Sequence, residues 1–242
     1  MGDRLHGRRI LVTGATSGIG AATARAVAAA GGEVALLARR EDRLKALADE
    51  LDGVAVPADV VDVAAVGRAV DRAAQALGGG LDGLVNAAGV LRPGGVTDGD
   101  PADWQLTFDV NVRGLLHVTQ AAIPYLAAAD HSDVVNVSSM SGRRLGSAPM
   151  GVYAASKAAV HMLSEGLRRE LAEHGVRVTV LAPGIVATDI FTESDHDTAQ
   201  SLAARSQQIG LRPEQVADRI VEVLAAPAGL VHVEVAMLSI EQ

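Results

Sequence analysis

Residues 9–32, with the sequence RILVTGATSGIGAATARAVAAAGG, decide the fold of this chain. The stretch opens with a short apolar run from Arg9 to Thr13, which a glycine-rich turn closes. Residues 21–30 continue as an alanine-rich helix that ends at Gly31 and Gly32. The sequence therefore predicts a strand, a loop and a helix in that order, which is how a β-α-β unit begins.

The same alternation continues along the chain. Further strands are predicted at residues 33–38, 54–57, 81–86, 133–138, 176–181 and 230–237, and further helices at 41–51, 63–77, 102–129, 151–174 and 213–226. The long helix is expected to bend near Pro124. Strands that are nearly continuous apolar runs, such as 176–181, are typical of a parallel sheet covered by helices on both faces. We therefore predict an α/β fold, a doubly wound Rossmann-type domain with a mostly parallel sheet of seven strands.

The length and composition suit one domain. A chain of 242 residues that is 49% hydrophobic has enough apolar material for one large core, so residues 1–242 are predicted to form a single domain. The loosest segment, about residues 189–210, is rich in Asp, Ser, Thr and Gln. We expect it to be a mobile flap over a substrate site.

Charge and residue usage exclude several classes of function. A formal net charge of −8 argues against a nucleic-acid or anionic-membrane surface, so a small-molecule partner is expected. The absence of cysteine excludes disulfides, thiol catalysis and zinc-thiolate sites, and the seven histidines form no His-Glu-x-x-His motif, so no metal is expected. Residues 1–9 lack the apolar stretch of a signal peptide, and no transmembrane run is present. The expected location is therefore the cytoplasm.

The turn after the first strand, TGATSGIG, has the composition of a phosphate-binding loop. Its glycines at positions 14, 18 and 20 allow backbone N–H groups and a helix N-terminus to approach a pyrophosphate. The spacing differs from the common Gly-x-Gly-x-x-Gly fingerprint, so that motif is not invoked. The alternative is a glycine-rich turn that serves packing alone.

Two arginines follow the second strand, where a site for NAD would place an acid to bind the ribose 2′-hydroxyl. This chain has Ala38 there, then Arg39 and Arg40. A guanidinium can bind a 2′-phosphate through two hydrogen bonds, which favours NADP over NAD. The alternative is a solvated pair beside Glu41 and Asp42.

Polar and small residues follow the later strands. Asp59 could accept a hydrogen bond from an adenine amino group, and the run Asn86-Ala87-Ala88-Gly89 leaves room for a cofactor. Asn111 lies in a long apolar helix, where it needs either a structural hydrogen bond or a role in proton transfer. From the residue alone, the structural role is favoured.

Tyr153 and Lys157 stand one helical turn apart in YAASK. A phenol titrates near pH ~10, so a tyrosine that exchanges protons near neutrality needs a cation beside it. Lys157 could be that cation, or it could simply be solvated. Ser138 and Ser139 end the fifth strand nearby, and the run from Pro183 to Thr188 would cross the same site after the sixth.

Taken together, these motifs resemble the short-chain dehydrogenases/reductases over about residues 7–237. The matching motifs, in the family's order, are TGATSGIG, the Asn-Ala-Ala-Gly turn, Asn111 in VNVRG, the serine after VVNVS, Tyr153-x-x-x-Lys157 and Pro183-Gly184. Ala38-Arg39-Arg40 and RPEQVADRIVEVLAAP look like the NADP-using branch that includes 3-hydroxy acid dehydrogenases and clavulanic aldehyde reductase-like enzymes.

The resemblance implies a role for each residue of the set. Tyr153 would be the general acid/base and Ser139 would orient the substrate carbonyl, while Lys157 would lower the tyrosine pKa and hold the nicotinamide ribose. Asn111 would anchor a water relay to Lys157. The implied assembly is a homo-oligomer, a tetramer or dimer, formed through the helices 102–129 and 151–174. The expected NADP(H)-binding residues are Gly14, Thr16, Ser17, Gly18, Ile19, Gly20, Arg39, Arg40, Asp59, Val60, Asn86, Ala87, Ala88, Gly89, Tyr153, Lys157, Pro183, Gly184, Val186 and Thr188.

The chain departs from the family pattern at two places. Ser139 precedes Tyr153 by fourteen positions, where the family usually has thirteen, which leaves Ser141 as a competitor for its role. The branch's usual Ile-Arg-Pro-Thr ending is replaced by Met237-Leu238-Ser239-Ile240, so the contacts of that segment are expected to differ.

The leading hypothesis is an NADP(H)-dependent carbonyl reductase or alcohol dehydrogenase acting on a small molecule. The rival is a regulatory protein that binds NADP on the same fold without turnover. Residues placed to line the substrate pocket are Arg92, Arg143, Arg144, Met150, Ile190 and Phe191. For Arg143 and Arg144 we favour the alternative that they bind neighbouring backbone or acids.

Overall fold

Apolar segments of four to eight residues pair side by side into a parallel sheet in the computed structural model, which describes residues 3–191, 194 and 196–242. The strands are β1 (Arg9–Thr13), β2 (Glu33–Ala38), β3 (Val54–Pro57), β4 (Gly83–Asn86), β5 (Ser132–Val137), β6 (Val176–Pro183) and β7 (Glu234–Met237). Their order is β3-β2-β1-β4-β5-β6-β7, and each neighbouring pair is parallel. The predicted fold class is confirmed.

Helices cover both faces of the sheet. They are α1 (Gly18–Ala29), α2 (Glu41–Leu51), α3 (Val63–Ala76), α4 (Pro101–Phe108), α5 (Leu115–Leu126), α6 (Gly151–Glu170), α7 (Asp197–Ile209) and α8 (Pro213–Leu224). Alternation along β1 supplies both cores: Val12 packs in the layer that includes Val27 of α1, and Leu11 packs in the layer that includes Val70 of α3. Within the described residues, no helix is long and apolar enough to cross a membrane.

The strand order reverses at β1, which pairs with β2 on one side and β4 on the other. Ligands of open α/β sheets bind beyond the carboxyl ends of the strands at such a switch point. The chain segments that follow β1 and β4 therefore lie side by side where a ligand is expected, and those that follow β5 and β6 extend the same edge.

The predicted long helix at residues 102–129 contains an irregularity in a different place from the one expected. A π-helical segment, Asp109–Gly114, separates α4 from α5, while Pro124 lies inside α5 without ending it. The expected bend near Pro124 stays a prediction. A π-helical turn inserts an extra residue into the helix and re-aims the side chains around it, here including Asn111.

The segment predicted to be a flap contains regular structure. A short 3₁₀ turn occupies Asp189–Phe191, and α7 fills thirteen positions of the remainder, whereas residues 192, 193 and 195 lie outside the described residues. Helix α7 buries Ala199 and Ser206 and exposes most of its polar side chains. The polar composition that suggested a loop is thus the solvent-facing side of an amphipathic helix. Mobility of the segment stays a prediction.

Candidate active site

Two adjoining clefts open at the carboxyl edge of the sheet. The first cleft has a volume of about 210 Å³ and lies where the loop after β1 meets the ends of β2, β3 and β4. The predicted cofactor-binding residues that line it are Gly14, Thr16, Ser17, Gly18, Ile19, Gly20, Arg39, Arg40, Asp59, Val60, Ala87, Ala88, Gly89 and Thr188. Most of the predicted set is therefore brought together in one place.

The glycine loop lies directly against the end of β4. Gly14 has a φ of +65°, and a Cβ there would lie 2.8 Å from backbone atoms of Ala87 and Ala88. The Thr13 hydroxyl accepts hydrogen bonds from the N–H groups of both alanines, each at 3.1 Å. Packing therefore requires a glycine at position 14, and the same lack of side chains leaves backbone open to the cleft beside the N-terminus of α1.

The two arginines after β2 have different surroundings. Arg40 is held on the glycine loop, with its Nη2 donating to the Thr16 hydroxyl at 2.9 Å. The Arg39 side chain is 62% exposed, and among the described residues its one ion pair is long, with 3.9 Å between its Nη1 and the Asp59 carboxylate. Its guanidinium keeps most of its donors free to meet a ligand in the first cleft.

The second cleft, of about 270 Å³, contains the predicted catalytic side chains. Ser139, Tyr153 and Lys157 line it together with Pro183, Gly184 and Val186, and it shares Ile19, Ala87, Gly89, Thr188 and Ile190 with the first cleft. A ligand in the first cleft can therefore extend towards Tyr153. Among the described residues, no aspartate or glutamate lines the second cleft.

Burial controls the protonation of both central groups. It raises the pKa of Tyr153 to about 12, and a hydrogen bond with the Ser139 side chain lowers that pKa only in part. It lowers the pKa of Lys157 to about 8, because the ammonium is removed from water without an anionic partner. Burial therefore favours the neutral form of both groups: the Tyr153 phenol holds its proton more firmly, and the Lys157 ammonium gives up its proton more easily.

The expectation that Lys157 lowers the tyrosine pKa stays a prediction. The ammonium lies 5.9 Å from the centre of the Tyr153 ring and donates to the Val137 carbonyl at 3.0 Å. Burial of the phenol is the largest cause of the shift, so the pKa of Tyr153 lies above its ordinary value.

The loop with the additional residue keeps Ser139 beside Tyr153. The Ser139 hydroxyl is hydrogen-bonded to the tyrosine side chain and also accepts from the Ser141 N–H at 3.1 Å. Ser141 also lines the second cleft. The loop between Ser139 and Tyr153 forms two 3₁₀ turns, Met140–Gly142 and Ala148–Met150, which absorb the longer spacing before α6.

Asn111 lies behind Ser139, Tyr153 and Lys157 and lines neither cleft. Its Oδ1 accepts from the Val90 N–H at 2.8 Å, and its Nδ2 donates to the Val90 carbonyl at 3.0 Å and to the Ser156 hydroxyl at 3.1 Å. A Cβ added to Gly89 would lie 3.3 Å from the Asn111 Oδ1 and 3.6 Å from the Lys157 Nζ. The carboxamide thus joins three elements around Lys157.

Asn86 does not join the cofactor residues, although it was placed among them. Its side chain is buried and donates to the Thr119 hydroxyl at 3.0 Å and to the Asn136 carboxamide at 2.9 Å. It lines neither cleft. As the last residue of β4, it points its side chain into the helix layer, and the next three residues form the cleft wall.

The expected substrate-pocket residues separate into two groups. Arg144, Met150, Ile190 and Phe191 line the second cleft. Arg143 pairs instead with Glu234, with 2.5 Å between its Nη2 and the carboxylate. Arg92 lies 3.7 Å from the Asp103 carboxylate. The alternative favoured from the sequence, that these arginines bind neighbouring backbone or acids, therefore holds for Arg143 but not for Arg144.

Sequence reasoning missed several residues of the second cleft, among them Leu202, Arg205, Leu238 and Gln242. Leu202 and Arg205 come from α7, in the segment predicted to be a flap, and Leu238 and Gln242 come from the segment after β7. The only signal for the latter was the departure from the branch's usual ending. In the part of the chain that the structure describes, no group of three or more His, Asp or Glu could hold a metal ion.

Comparisons with known proteins agree with this geometry. The sequence profile of a family described as short chain dehydrogenase matches residues 8–199. An uncharacterized oxidoreductase of Staphylococcus haemolyticus is 37% identical over 234 residues, which cover 96% of this chain and 95% of that protein. A short chain dehydrogenase from Burkholderia cenocepacia, solved in complex with NADP, is 35% identical with a TM-score of 0.85 over 97% of both chains. The closed form of a serine dehydrogenase complexed with NADP+ is 30% identical, with a TM-score of 0.89 over 96% of this chain and 95% of that one.

Proposed function

The chain belongs to the short-chain dehydrogenase family, and from that premise we propose that it interconverts a carbonyl and a primary or secondary alcohol with NADP(H), using Tyr153 as general acid/base. The observation that carries the proposal is that Ser139, Tyr153 and Lys157 line one cleft that shares a wall with the glycine-loop cleft. The related structures solved with NADP support the same cofactor.

The first cleft fits that cofactor. Its glycine loop leaves backbone N–H groups and the start of α1 for the phosphates, and Arg39 has donors for a 2′-phosphate. When bound, NADPH supplies a hydride to the substrate carbon. All other steps fall to side chains of the chain itself.

In the direction of reduction, the Tyr153 O–H donates its proton to the substrate oxygen, towards which Ser139 also directs its hydroxyl. A pKa of about 12 keeps Tyr153 protonated at neutral pH, so it is ready to act as an acid. The phenolate that forms is stabilised by the Lys157 ammonium and by the hydrogen bond with Ser139. We further propose that Asn111 anchors a water that returns a proton to Lys157, which supports the next cycle.

The rival proposal is a regulatory protein that binds NADP without turnover. NADPH oxidation measured with a panel of aldehydes, ketones and oxo acids separates the two. Oxo acids belong in the panel because Arg144 and Arg205 line the second cleft, and none of its described lining residues is an acid. Oxidation of NADPH with any member supports the enzyme, whereas tight NADPH binding with no turnover across the panel, and no NADP reduction with the matching alcohols, favours the regulator.

Arg39→Ala is expected to narrow the preference for NADPH over NADH. Arg39 is an exposed cation of the first cleft, and its ion pair with Asp59 is long, so a 2′-phosphate can take its donors. The loss of a charge-assisted hydrogen bond should raise the Kd for NADPH by ~10- to 100-fold. Titration of both cofactors by fluorescence measures this change.

NADH affinity in the Arg39→Ala variant is the internal control, because NADH lacks the 2′-phosphate. Arg68→Ala, which removes an exposed arginine of α3 outside both clefts, is the matched variant and should behave as the unmutated protein. Equal affinities of the unmutated protein for NADPH and NADH would refute the assignment.

We also propose a homotetramer assembled through the long helices. On α6, Ala155 and Ala158 are exposed next to Met162, whose exposure is 73%, and such a stripe of small residues permits close helix approach. Ala158→Arg is expected to yield smaller species in sedimentation at micromolar concentration. Ala46→Arg, at an exposed alanine of α2, is its control and should leave the tetramer intact. A monomeric unmutated protein would contradict the proposal.

A further inference from the structure

The segment after β7 folds back over the turn that follows β6. The last register pair of the two strands is Pro183 with Met237, and the Gly184 N–H donates to the Met237 carbonyl at 2.8 Å. Ser239 then reverses the chain, because its carbonyl accepts from the Gln242 N–H at 3.1 Å and its hydroxyl accepts from the Glu241 N–H at 3.2 Å. The reversal brings the Gln242 side chain to the turn after β6.

The Gln242 carboxamide pairs with both backbone groups of Ile185. Its Oε1 accepts from the Ile185 N–H at 2.8 Å, and its Nε2 donates to the Ile185 carbonyl at 2.9 Å. The second Nε2 hydrogen goes to the carbonyl of Ile209, the last residue of α7, at 3.1 Å. One side chain therefore joins the turn after β6 to the end of α7, with three of its hydrogen-bonding positions used.

Gly184 lets this segment approach closely. A Cβ at position 184 would collide with the Gln242 Oε1 and would lie 2.6 Å from the Leu238 Cδ2. Leu238 and Gln242 both line the second cleft with Tyr153, whereas Ile240 between them is fully exposed. The two residues that reach the cleft are the ones that the turn at Ser239 aims inward.

We propose that Gln242 is a positioning residue that fixes the turn at residues 183–185 and, with Leu238, sets the size of substrate that the second cleft accepts. The inference rests on the proposed function, because it concerns the cleft that contains Tyr153. Gly184, Ile185 and Val186 line the second cleft and not the first, so an unpaired Ile185 N–H would loosen the substrate side first. Ile185 keeps one other bond, from the Leu211 N–H to its carbonyl at 2.9 Å, so the turn survives without Gln242.

The test compares Gln242→Ala, Gln242→Glu and Leu238→Ala with the unmutated protein. Gln75→Ala on α3 is the matched control, because this residue is exposed and lines neither cleft. Gln242→Ala should raise the KM of a small carbonyl substrate by ~10-fold, the loss expected for about one hydrogen bond, with kcat little changed. It should lower the KM of a bulkier substrate, because a wall of the cleft has been cut back. Leu238→Ala should also shift the ratio of the KM values of the small and the bulkier substrate, without loosening Ile185.

Gln242→Glu separates positioning from mere packing. A glutamate keeps the shape and the acceptor for the Ile185 N–H, but at neutral pH its carboxylate faces the carbonyls of Ile185 and Ile209. A protonated carboxyl can donate to one of them. Substrate affinity of this variant should therefore recover as pH falls towards the carboxyl pKa, whereas Gln242→Ala should show no such recovery.

Hydrogen exchange of the Ile185 amide provides a measurement that needs no turnover. In Gln242→Ala this amide should exchange at least ~10-fold faster, while amides of β1 keep their protection. Faster exchange with a changed ratio of KM values supports the proposal, and unchanged exchange or an unchanged ratio in all three variants overturns it. If no substrate is turned over at all, the proposed function fails, and the exchange result still decides whether Gln242 positions the turn.

Discussion

Tyr153→Phe is expected to lower kcat by ~10²- to 10⁴-fold, the range that a general acid contributes, while NADPH affinity stays nearly unchanged. The phenol hydroxyl interacts with Ser139 in the second cleft and is the proposed proton donor, and its removal leaves the glycine loop intact. Phenylalanine keeps the ring, which packs with Leu91, Met150 and Phe191, so the fold should be preserved. Single-turnover kinetics and a cofactor titration measure both quantities.

Two serine variants test the same assignment. Ser139→Ala should also reduce turnover, because it removes the hydroxyl bonded to Tyr153. Ser141→Ala is its matched control: its backbone N–H, which donates to Ser139, is retained. A larger loss of turnover in Ser141→Ala than in Ser139→Ala would mean that, in the longer loop, Ser141 takes the role assigned to Ser139. Full activity of Tyr153→Phe on a proven substrate would show that the proposed mechanism is wrong.

Lys157→Met should reduce both kcat and cofactor affinity, with a loss in kcat of ~10²-fold or more. The variant removes the cation that stabilises the phenolate, together with the donor proposed for the nicotinamide ribose. Methionine fills similar volume in a position where Lys157 is only 5% exposed, so a packing defect should be small. Tyr153→Phe serves as the comparison, because it should affect kcat alone.

The same lysine should give the protein a distinctive dependence of stability on pH. Its pKa is lowered from 10.5 to about 8 on folding, so between those values the unfolded chain binds a proton that the folded protein does not. The free energy of unfolding should therefore rise with pH across that window, by up to ~3 kcal/mol. The pKa of Tyr153 is raised from 10 to about 12, so the tyrosine acts in the opposite direction only above pH 10.

Urea unfolding at several pH values between 8 and 10 measures the effect, and the chain has no cysteine to titrate there. Lys157→Met should be the more stable protein at pH 7, and the difference should shrink as pH rises. Parallel stability curves for the two proteins would mean that the buried ammonium is not responsible.

Local sequence was sufficient for most of the architecture. Strands β2 and β3 and helix α2 occupy the predicted residues, because each is an uninterrupted apolar or amphipathic run. Helix α2 ends at Leu51, and its C-cap residue Asp52 has a φ of 51° and stands before Gly53. The glycine loop and the YAASK turn were recognisable for a related reason, since their function depends on residue types at short, fixed spacing.

The features that only the tertiary structure decided depend on contacts between residues far apart in sequence. Asn86 and Asn111 look alike as polar residues of buried segments, and their partners, Asn136 for one and Val90 and Ser156 for the other, determine that neither lines a cleft. The pKa values of Tyr153 and Lys157 follow from desolvation by the whole surrounding core, which no spacing records. Gln242 reaches Ile185 across 57 positions, and only the pairing of β6 with β7 makes that contact possible. Periodicity and capping act between neighbours and can be read from sequence, whereas burial and long-range hydrogen bonds arise only when the strands are brought side by side.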